Sequence, residues 1–265
     1  MKYKIGEVAK LLGISPDLLR YYEKKGVVSP EKGEFNDYRY YDSWDINFLM
    51  DCLWFKNFGF SIDQISHMVR NTSAEDITAM FLSKEQELEA AIRRSQLLLL
   101  RSREYRQDIE KLSQLGKFNV ADSPAGAFYL NRYGDEYASD PAPLAHKWLE
   151  VMPFNHRYFQ FSEGALRGQD PNGYQWGYFL SDSYVKELKL EVEAPMKWLA
   201  PERSLHTVCK SSGKGRFGAA MLSPAVEYAK QHGIRIKGPA KGTLLASLYD
   251  ENELSGYFEV WIPIE

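Results

Sequence analysis

The run GYFEVWIPI at residues 256–264 holds the most distinctive chemistry in this 265-residue chain. A two-residue period puts Tyr257, Glu259 and Trp261 on one face of a strand and Phe258, Val260, Ile262 and Ile264 on the other. The second set is an ordinary core face. Glu259 is then a carboxylate flanked by aromatic rings in a largely apolar segment. Burying such a group without compensation costs several kcal/mol. A cationic ligand between the rings would compensate it and add cation–π attraction. A nearby Arg or Lys would also do so, and exposure to solvent would remove the problem. A buried glutamate with a raised pKa is also a candidate general base, although no nucleophile–His–Asp set or metal set accompanies it. Tyr174, Trp176 and Tyr178 alternate in the same way along GYQWGYFLSD (173–182), a pattern that core packing also produces.

A second chemistry lies near the start. In the helical run DLLRYYEKK (17–25), Leu19 and Tyr22 face inward, while Arg20, Tyr21, Lys24 and Lys25 lie on the opposite side. Arg and Lys neutralise phosphates, and a Tyr hydroxyl donates to a phosphate oxygen. The strand-like YRYY (38–41) sets Arg39 between Tyr38 and Tyr40. A solvated charged face and a surface arginine stacked on tyrosines are the plain alternatives. Total charge does not decide between them. The chain carries −3, and residues 1–70 hold ten Lys/Arg against ten Asp/Glu. Cys52 and Cys209 stand far apart, and the five histidines form no HxxxH or HxH pattern. Neither a disulfide framework, a metal site nor a cofactor is expected.

These residues need elements to position them. In KIGEVAKLL (4–12), Ile5, Val8, Ala9 and Leu12 form one helical face, and Gly13 stops the helix. Ser15 caps the next helix and Pro16 opens it. Two short helices so closely joined make a helix-turn-helix pattern. Pro30, Gly33 and Asn36-Asp37 mark a small hairpin, or wing. A third helix starts near Asp42 or Ser43, with an apolar stripe of Ile46, Leu49, Met50 and Leu53. Ser61 and Gln64 form a capping box for a fourth.

The order IGEVAKLLGIS, LRYYEKKG, YRYY, FGFSIDQI resembles the MerR family of regulators over residues 3–70. The resemblance implies a dimer that binds promoter DNA and, on effector binding, bends and untwists the spacer until RNA polymerase can use it. Carried over by position, the DNA contacts are Arg20, Tyr21, Lys24, Tyr38, Arg39 and Tyr40. The family usually has Gly before the wing YR pair. This chain has Asp37 at that turn, and Asp tolerates positive φ better than most residues.

Residues 73–115 hold no proline and no glycine. Leu88, Ile92, Leu99, Ile109 and Leu112 fit a 3–4 spacing, with Ser95, Ser102 and Arg106 in the same seam. This suggests a long helix pairing with a second subunit, or else lying on its own C-terminal domain. A polar surface that includes Glu85, Glu87, Glu89, Arg93, Arg94, Arg101 and Arg103 favours the first. Metal-sensing MerR proteins carry cysteines around this helix, and this chain has none there.

The rest can be read twice as strand–helix–strand–strand. The first pass is AGAFYLNRYG, PAPLAHKWLEVM, RYFQFSEG and GYQWGYFLSD; the second is RSLHTVCKSSG, SPAVEYAKQHG, GTLLASLYD and GYFEVWIPI. Two such units predict a pseudo-symmetric α+β domain with two antiparallel sheets and a groove at their junction. This half resembles the GyrI-like effector-binding domain, whose last strand ends in E-x-x-I-P-[IVL], as EVWIPI does. The resemblance implies hydrophobic, aromatic or cationic effectors, with a glutamate at the position of Glu259 facing them. Trp176, Tyr178 and Tyr257, then Phe217 and Tyr249, are the candidate pocket walls.

The expected organisation is multidomain: a winged helix-turn-helix (1–70), an antiparallel coiled-coil dimerisation helix (71–117) and an α+β effector domain (118–265). The expected function is a ligand-responsive, non-enzymatic transcription regulator of the multidrug-sensing type. The alternatives are a GyrI-like hydrolase of a reactive small molecule fused to a DNA-binding module, and a constitutive DNA-bending protein. No apolar run approaches the roughly 18 residues that span a bilayer, and the start has no signal-peptide core. A cytoplasmic location is expected.

Overall fold

Glycine and hydroxyl caps set the first elements of the computed structural model. It describes residues 2–33, 38–70, 72–134, 136–137, 147–170, 173–213, 217–250 and 253–265. The chain divides into two compact units, 1–92 and 93–265.

In the first unit, β1 (Tyr3–Lys4) leads into α1 (Ile5–Leu12). Gly13 closes α1 at φ 65°, in the left-handed region open to glycine. The Ser15 hydroxyl accepts the Leu18 N–H at 3.1 Å, and Pro16 opens α2 (Pro16–Lys24). Val8, Ala9, Leu19 and Tyr22 are buried as their spacing requires. The wing is β2 (Glu31–Lys32) antiparallel to β3 (Arg39–Tyr41), and β1 pairs with the other edge of β3. Asp37, at the wing turn, lies outside the described residues.

The third helix, α3, spans Ser43–Asn57. Its stripe differs from expectation. Ile46, Leu49 and Cys52 are buried, whereas Met50 is 54% exposed. The buried stripe centres on Leu49 and Leu53. At about 100° per residue, Ile46 and Cys52 lie about 60° to either side of Leu49, whereas Met50 lies about 100° away. In α4 (Ile62–Arg70) the capping box forms as expected, with Gln64 N–H to Ser61 Oγ at 3.2 Å and Ser61 N–H to Gln64 Oε1 at 2.8 Å.

The fifth helix, α5 (Ala74–Glu110), runs 37 residues, about 55 Å at 1.5 Å per residue. A 3₁₀ turn, Lys111–Gln114, follows it. Among the described residues no helix is long and apolar enough to cross a membrane.

The second unit is built on one antiparallel sheet. Its strands are β4 (Phe118–Asp122), β5 (Gly126–Tyr133), β6 (Glu136–Tyr137), β7 (His156–Phe161), β8 (Tyr174–Ser181), β9 (Lys197–Leu199), β10 (Arg203–Ser212), β11 (Ala240–Asp250) and β12 (Glu253–Pro263). Their order is β4-β10-β12-β11-β7-β8-β5-β6, with β9 on β5. The expected strands are present, but they join into a single sheet instead of two. The join is β11 against β7, where Ala240–Thr243 pair with Phe161–Tyr158. Of the two expected helices, α6 (Ser223–Gln231) is complete. Residues 147–150 of the other are helical, and 141–146 lie outside the described residues.

The sheet has two kinds of face. On one, Phe159, Phe161, Leu205, Cys209, Phe258, Val260 and Ile262 pack with Ala225 and Ala229 of α6 into the main core. Directly paired strand residues share a face. The row Val208, Glu259, Thr243, Tyr158, Gly177 therefore lies on the other.

Candidate functional site

Glu259 is placed by β12 on this second face and is 7% exposed. Its carboxylate is paired within the chain, the lysine alternative among the compensations open to it. Lys111, from the 3₁₀ turn after α5, donates from Nζ to Glu259 Oε2 at 2.8 Å and to Asp108 Oδ1 at 3.0 Å. The other oxygen, Oε1, lies 2.9 Å from His206 Nε2. A carboxylate only accepts, so Nε2 donates to it. His206 Nδ1 lies 2.8 Å from Asn119 Oδ1 on the neighbouring strand.

The network continues along α5. Arg101 Nη1 lies 3.4 Å from Asp108 Oδ2 and 3.7 Å from Glu104 Oε2, while its Nε donates to the Pro153 carbonyl at 3.0 Å. The Tyr184 hydroxyl donates to Glu104 at 2.7 Å. Arg101, expected on the polar surface, is instead buried, and so is Asp108. Helical geometry explains this placement. At about 100° per residue, Leu97, Arg101, Glu104 and Asp108 share one stripe. Leu88, Ile92, Ser95 and Leu99 lie about 180° away, and Leu88, Ile92 and Leu99 are 48%, 57% and 53% exposed. One helix thus offers a charged stripe to its own domain and an apolar stripe to the outside.

Arg101, Glu104, Asp108, Lys111, His156, Phe179, Thr243, Glu259 and Trp261 are among the residues lining a cavity of about 260 Å³. Its charged lining is three carboxylates against two cations. Burial works against the Glu259 charge, but the His206 hydrogen bond and Lys111 hold its pKa below the ordinary value. Lys111 shows the converse. Burial opposes its charge, yet Glu259 and Asp108 raise its pKa.

Burial, with Arg101 and Lys111 nearby, lowers the His156 pKa from 6.5 to about 4, against the opposing pull of Asp108 and Glu259. His156 is therefore neutral at pH 7. Between pH 6.5 and 4 the unfolded chain binds this proton and the folded chain does not, so stability falls as pH falls through that window. His156→Gln is expected to flatten the dependence of melting temperature on pH there. Glu259 acts lower: its depressed pKa contributes stability above pH 4.5 that is lost on further acidification. Calorimetric melts of the His156 variant that keep the wild-type slope between pH 6.5 and 4 would exclude this assignment.

The expected pocket walls do not gather around Glu259. Trp176 and Phe217 sit in the main core on the opposite face, their ring centroids 4.5 Å apart. Tyr178 also faces away from cavity-lining Phe179 and stacks near Trp148. Tyr249 is 80% exposed. Tyr257 shares the Glu259 face but lies under Lys210, outside the cavity lining. The aromatic alternation on β8 was core packing. The aromatic walls of the cavity are Phe179 and Trp261. A larger cavity of about 660 Å³, lined in part by Tyr133, Gln160, Ser162, Asp170 and Tyr174, lies elsewhere, and its carboxylates Glu136 and Asp170 are exposed. The buried charge decides for the smaller one.

Sequence reasoning did not single out Lys111, His206, Asp108 or His156. The seven-and-three spacing of Arg101, Asp108 and Lys111 was a usable signal, since it puts them on one helical stripe. His206 meets Glu259 only once β10 and β12 pair.

In the first unit, Arg20, Tyr21 and Lys24 are exposed on α2, with Arg20 paired to Asp17. Tyr38 is 56% exposed and Tyr40 is half-buried. Arg39 is half-buried and bonded to Glu23 of α2, which ties the wing to that helix. Residues 3–72 match the family model described as "MerR HTH family regulatory protein". They form a MerR-family helix-turn-helix domain. The HTH-type transcriptional regulator HmrR of Sinorhizobium medicae (strain WSM419) is 33% identical over 93 residues, 33% of this chain and 63% of that protein. The HTH-type transcriptional activator mta of Bacillus subtilis (strain 168) is 31% identical over 85 residues, 32% of this chain and 33% of that protein. The match therefore spans less than two thirds of either relative. Beyond the MerR domain, the cryo-EM structure of the EcmrR–DNA complex in EcmrR-RPo aligns over 99% of both chains, at 14% identity and TM-score 0.39.

Proposed function

We propose that this chain is a cytoplasmic, ligand-responsive regulator that binds promoter DNA as a homodimer. In this reading Arg20, Tyr21, Lys24, Tyr38, Arg39 and Tyr40 contact the DNA. Residues 118–265 form a GyrI-like effector domain. The order β10-β12-β11 mirrored by β5-β8-β7 supports two copies of one strand–helix–strand–strand unit. The apolar stripe of α5 supports a coiled coil between subunits. Binding the effector distorts the promoter spacer for RNA polymerase; a relative named as a transcriptional activator supports activation as the outcome.

The observation that carries the sensing role is the buried Glu259 carboxylate in a cavity whose acids outnumber its fixed cations. Such a site prefers a small hydrophobic or aromatic cation, with Phe179 and Trp261 as its walls. Glu259→Gln keeps the shape and removes the charge. It is expected to weaken a cationic ligand by about 1–3 kcal/mol and a neutral ligand of the same shape far less. Titration calorimetry on a matched cationic and neutral pair measures the difference. Equal losses for the two ligands would assign Glu259 to structure and not to recognition.

A further inference from the structure

We propose that Lys111 is a tethered cation that occupies the effector's own subsite, so that a ligand binds by displacing it from Glu259 and thereby releases the end of α5. The proposal rests on the sensing role above and adds how binding is transmitted.

Glu259 has two partners of opposite mobility. His206 is held on a central strand, bonded through its other nitrogen to Asn119 and packed beside Trp261 at 5.6 Å between ring centroids. Lys111 stands on a four-residue 3₁₀ turn, and its side chain is 39% exposed. Lys111 is thus the partner with a path outward. It also has somewhere to go, because Asp108 accepts the same ammonium at 3.0 Å, so leaving Glu259 does not strand the charge. The cavity that remains, about 260 Å³, is small beside the roughly 300–1,000 Å³ of sites for drug-sized ligands. Removing the lysine tip enlarges it at its most acidic point.

The position in the chain turns this exchange into a signal. Lys111 directly follows Glu110, the last residue of α5. The chain beyond the turn is pinned: Gly116 N–H bonds Val208 O at 2.9 Å, and Thr207 Oγ1 bonds Lys117 O at 2.8 Å. Only the turn between helix and sheet is left to respond. A ligand cation and the Lys111 contact compete for one carboxylate, so each weakens the other by the same factor.

The test uses the full-length chain, with benzylammonium chloride as the probe cation and benzyl alcohol as its neutral counterpart, at matched ionic strength. Lys111→Met is expected to lower the melting temperature near neutral pH, because it leaves Glu259 short of a cation. Benzylammonium should restore it saturably, at concentrations at least tenfold below those that act on the wild type, and benzyl alcohol should not. The double variant Lys111→Met/Glu259→Gln removes both charges. It should melt near the wild type and ignore the cation. If Lys111→Met does not fold alone, its recovery on refolding in benzylammonium becomes the readout. Equal action of benzylammonium on wild type and Lys111→Met overturns the proposal, as does failure of the cation to rescue. The two readings separate cleanly. Glu259-dependent cation binding by the wild type that Lys111→Met does not tighten leaves sensing intact and removes the tether. Rescue of Lys111→Met by a cation that the wild type never binds overturns both, because no ligand then displaces the lysine.

Discussion

Leu99→Asp is expected to make the protein monomeric at micromolar concentration and to weaken promoter binding at least about a hundredfold. The side chain is 53% exposed on the α5 stripe that carries Leu88 and Ile92, about 180° from the stripe that packs on the sheet. A charge there meets its symmetry mate in an apolar seam, at a cost of several kcal/mol. More than half of the side chain is open to solvent, so the monomer stays folded. DNA affinity falls because two linked half-site contacts become one, and linkage is worth roughly 10²–10⁴ in avidity. Light scattering and a titration on promoter DNA check both parts. A wild type that is already monomeric at that concentration would sink the coiled-coil reading.

Arg20→Ala and Arg39→Ala should each reduce promoter affinity by about tenfold or more and lower the slope of log affinity against log salt by about 0.9. The two arginines differ in what else they do. Among the described residues Arg20 pairs with Asp17, one turn away on the exposed side of α2. Arg39 is half-buried against Glu23, so its loss also frees the wing from α2. Arg39→Lys should therefore recover the salt slope without recovering full affinity, because an ammonium lacks the planar fork. Filter binding across a salt series reads both quantities. Wild-type slopes in both alanine variants would remove these residues from the interface.

The first unit was legible because its signals are local. Gly13, Ser15, Pro16 and the Ser61–Gln64 pair each specify an end within a turn of themselves. The strands of the second unit were legible for the same reason, since period two is visible along one segment. What failed was non-local. The alternation Tyr174, Trp176, Tyr178 announces a face but not which one, and strand pairing put it opposite Glu259. The lysine partner of Glu259 lies 148 residues away, just past the end of a helix whose outer stripe is the plainer signal. A nearby lysine was among the compensations open to that carboxylate, but no single segment identifies which lysine.

The join between β11 and β7 runs only from Ala240 to Thr243, whereas β10 and β12 pair continuously from Ser204 to Ser212. Thr243 is bonded into that join and also stands opposite Glu259. The acid site therefore sits beside a four-residue join that is shorter than the β10–β12, β11–β12, β5–β8 and β7–β8 pairings on either side of it, so flexing the sheet there strains fewer backbone hydrogen bonds. The two halves of the domain meet there as two leaves meet at a pin, and a small displacement beside the pin becomes the largest at their outer edges.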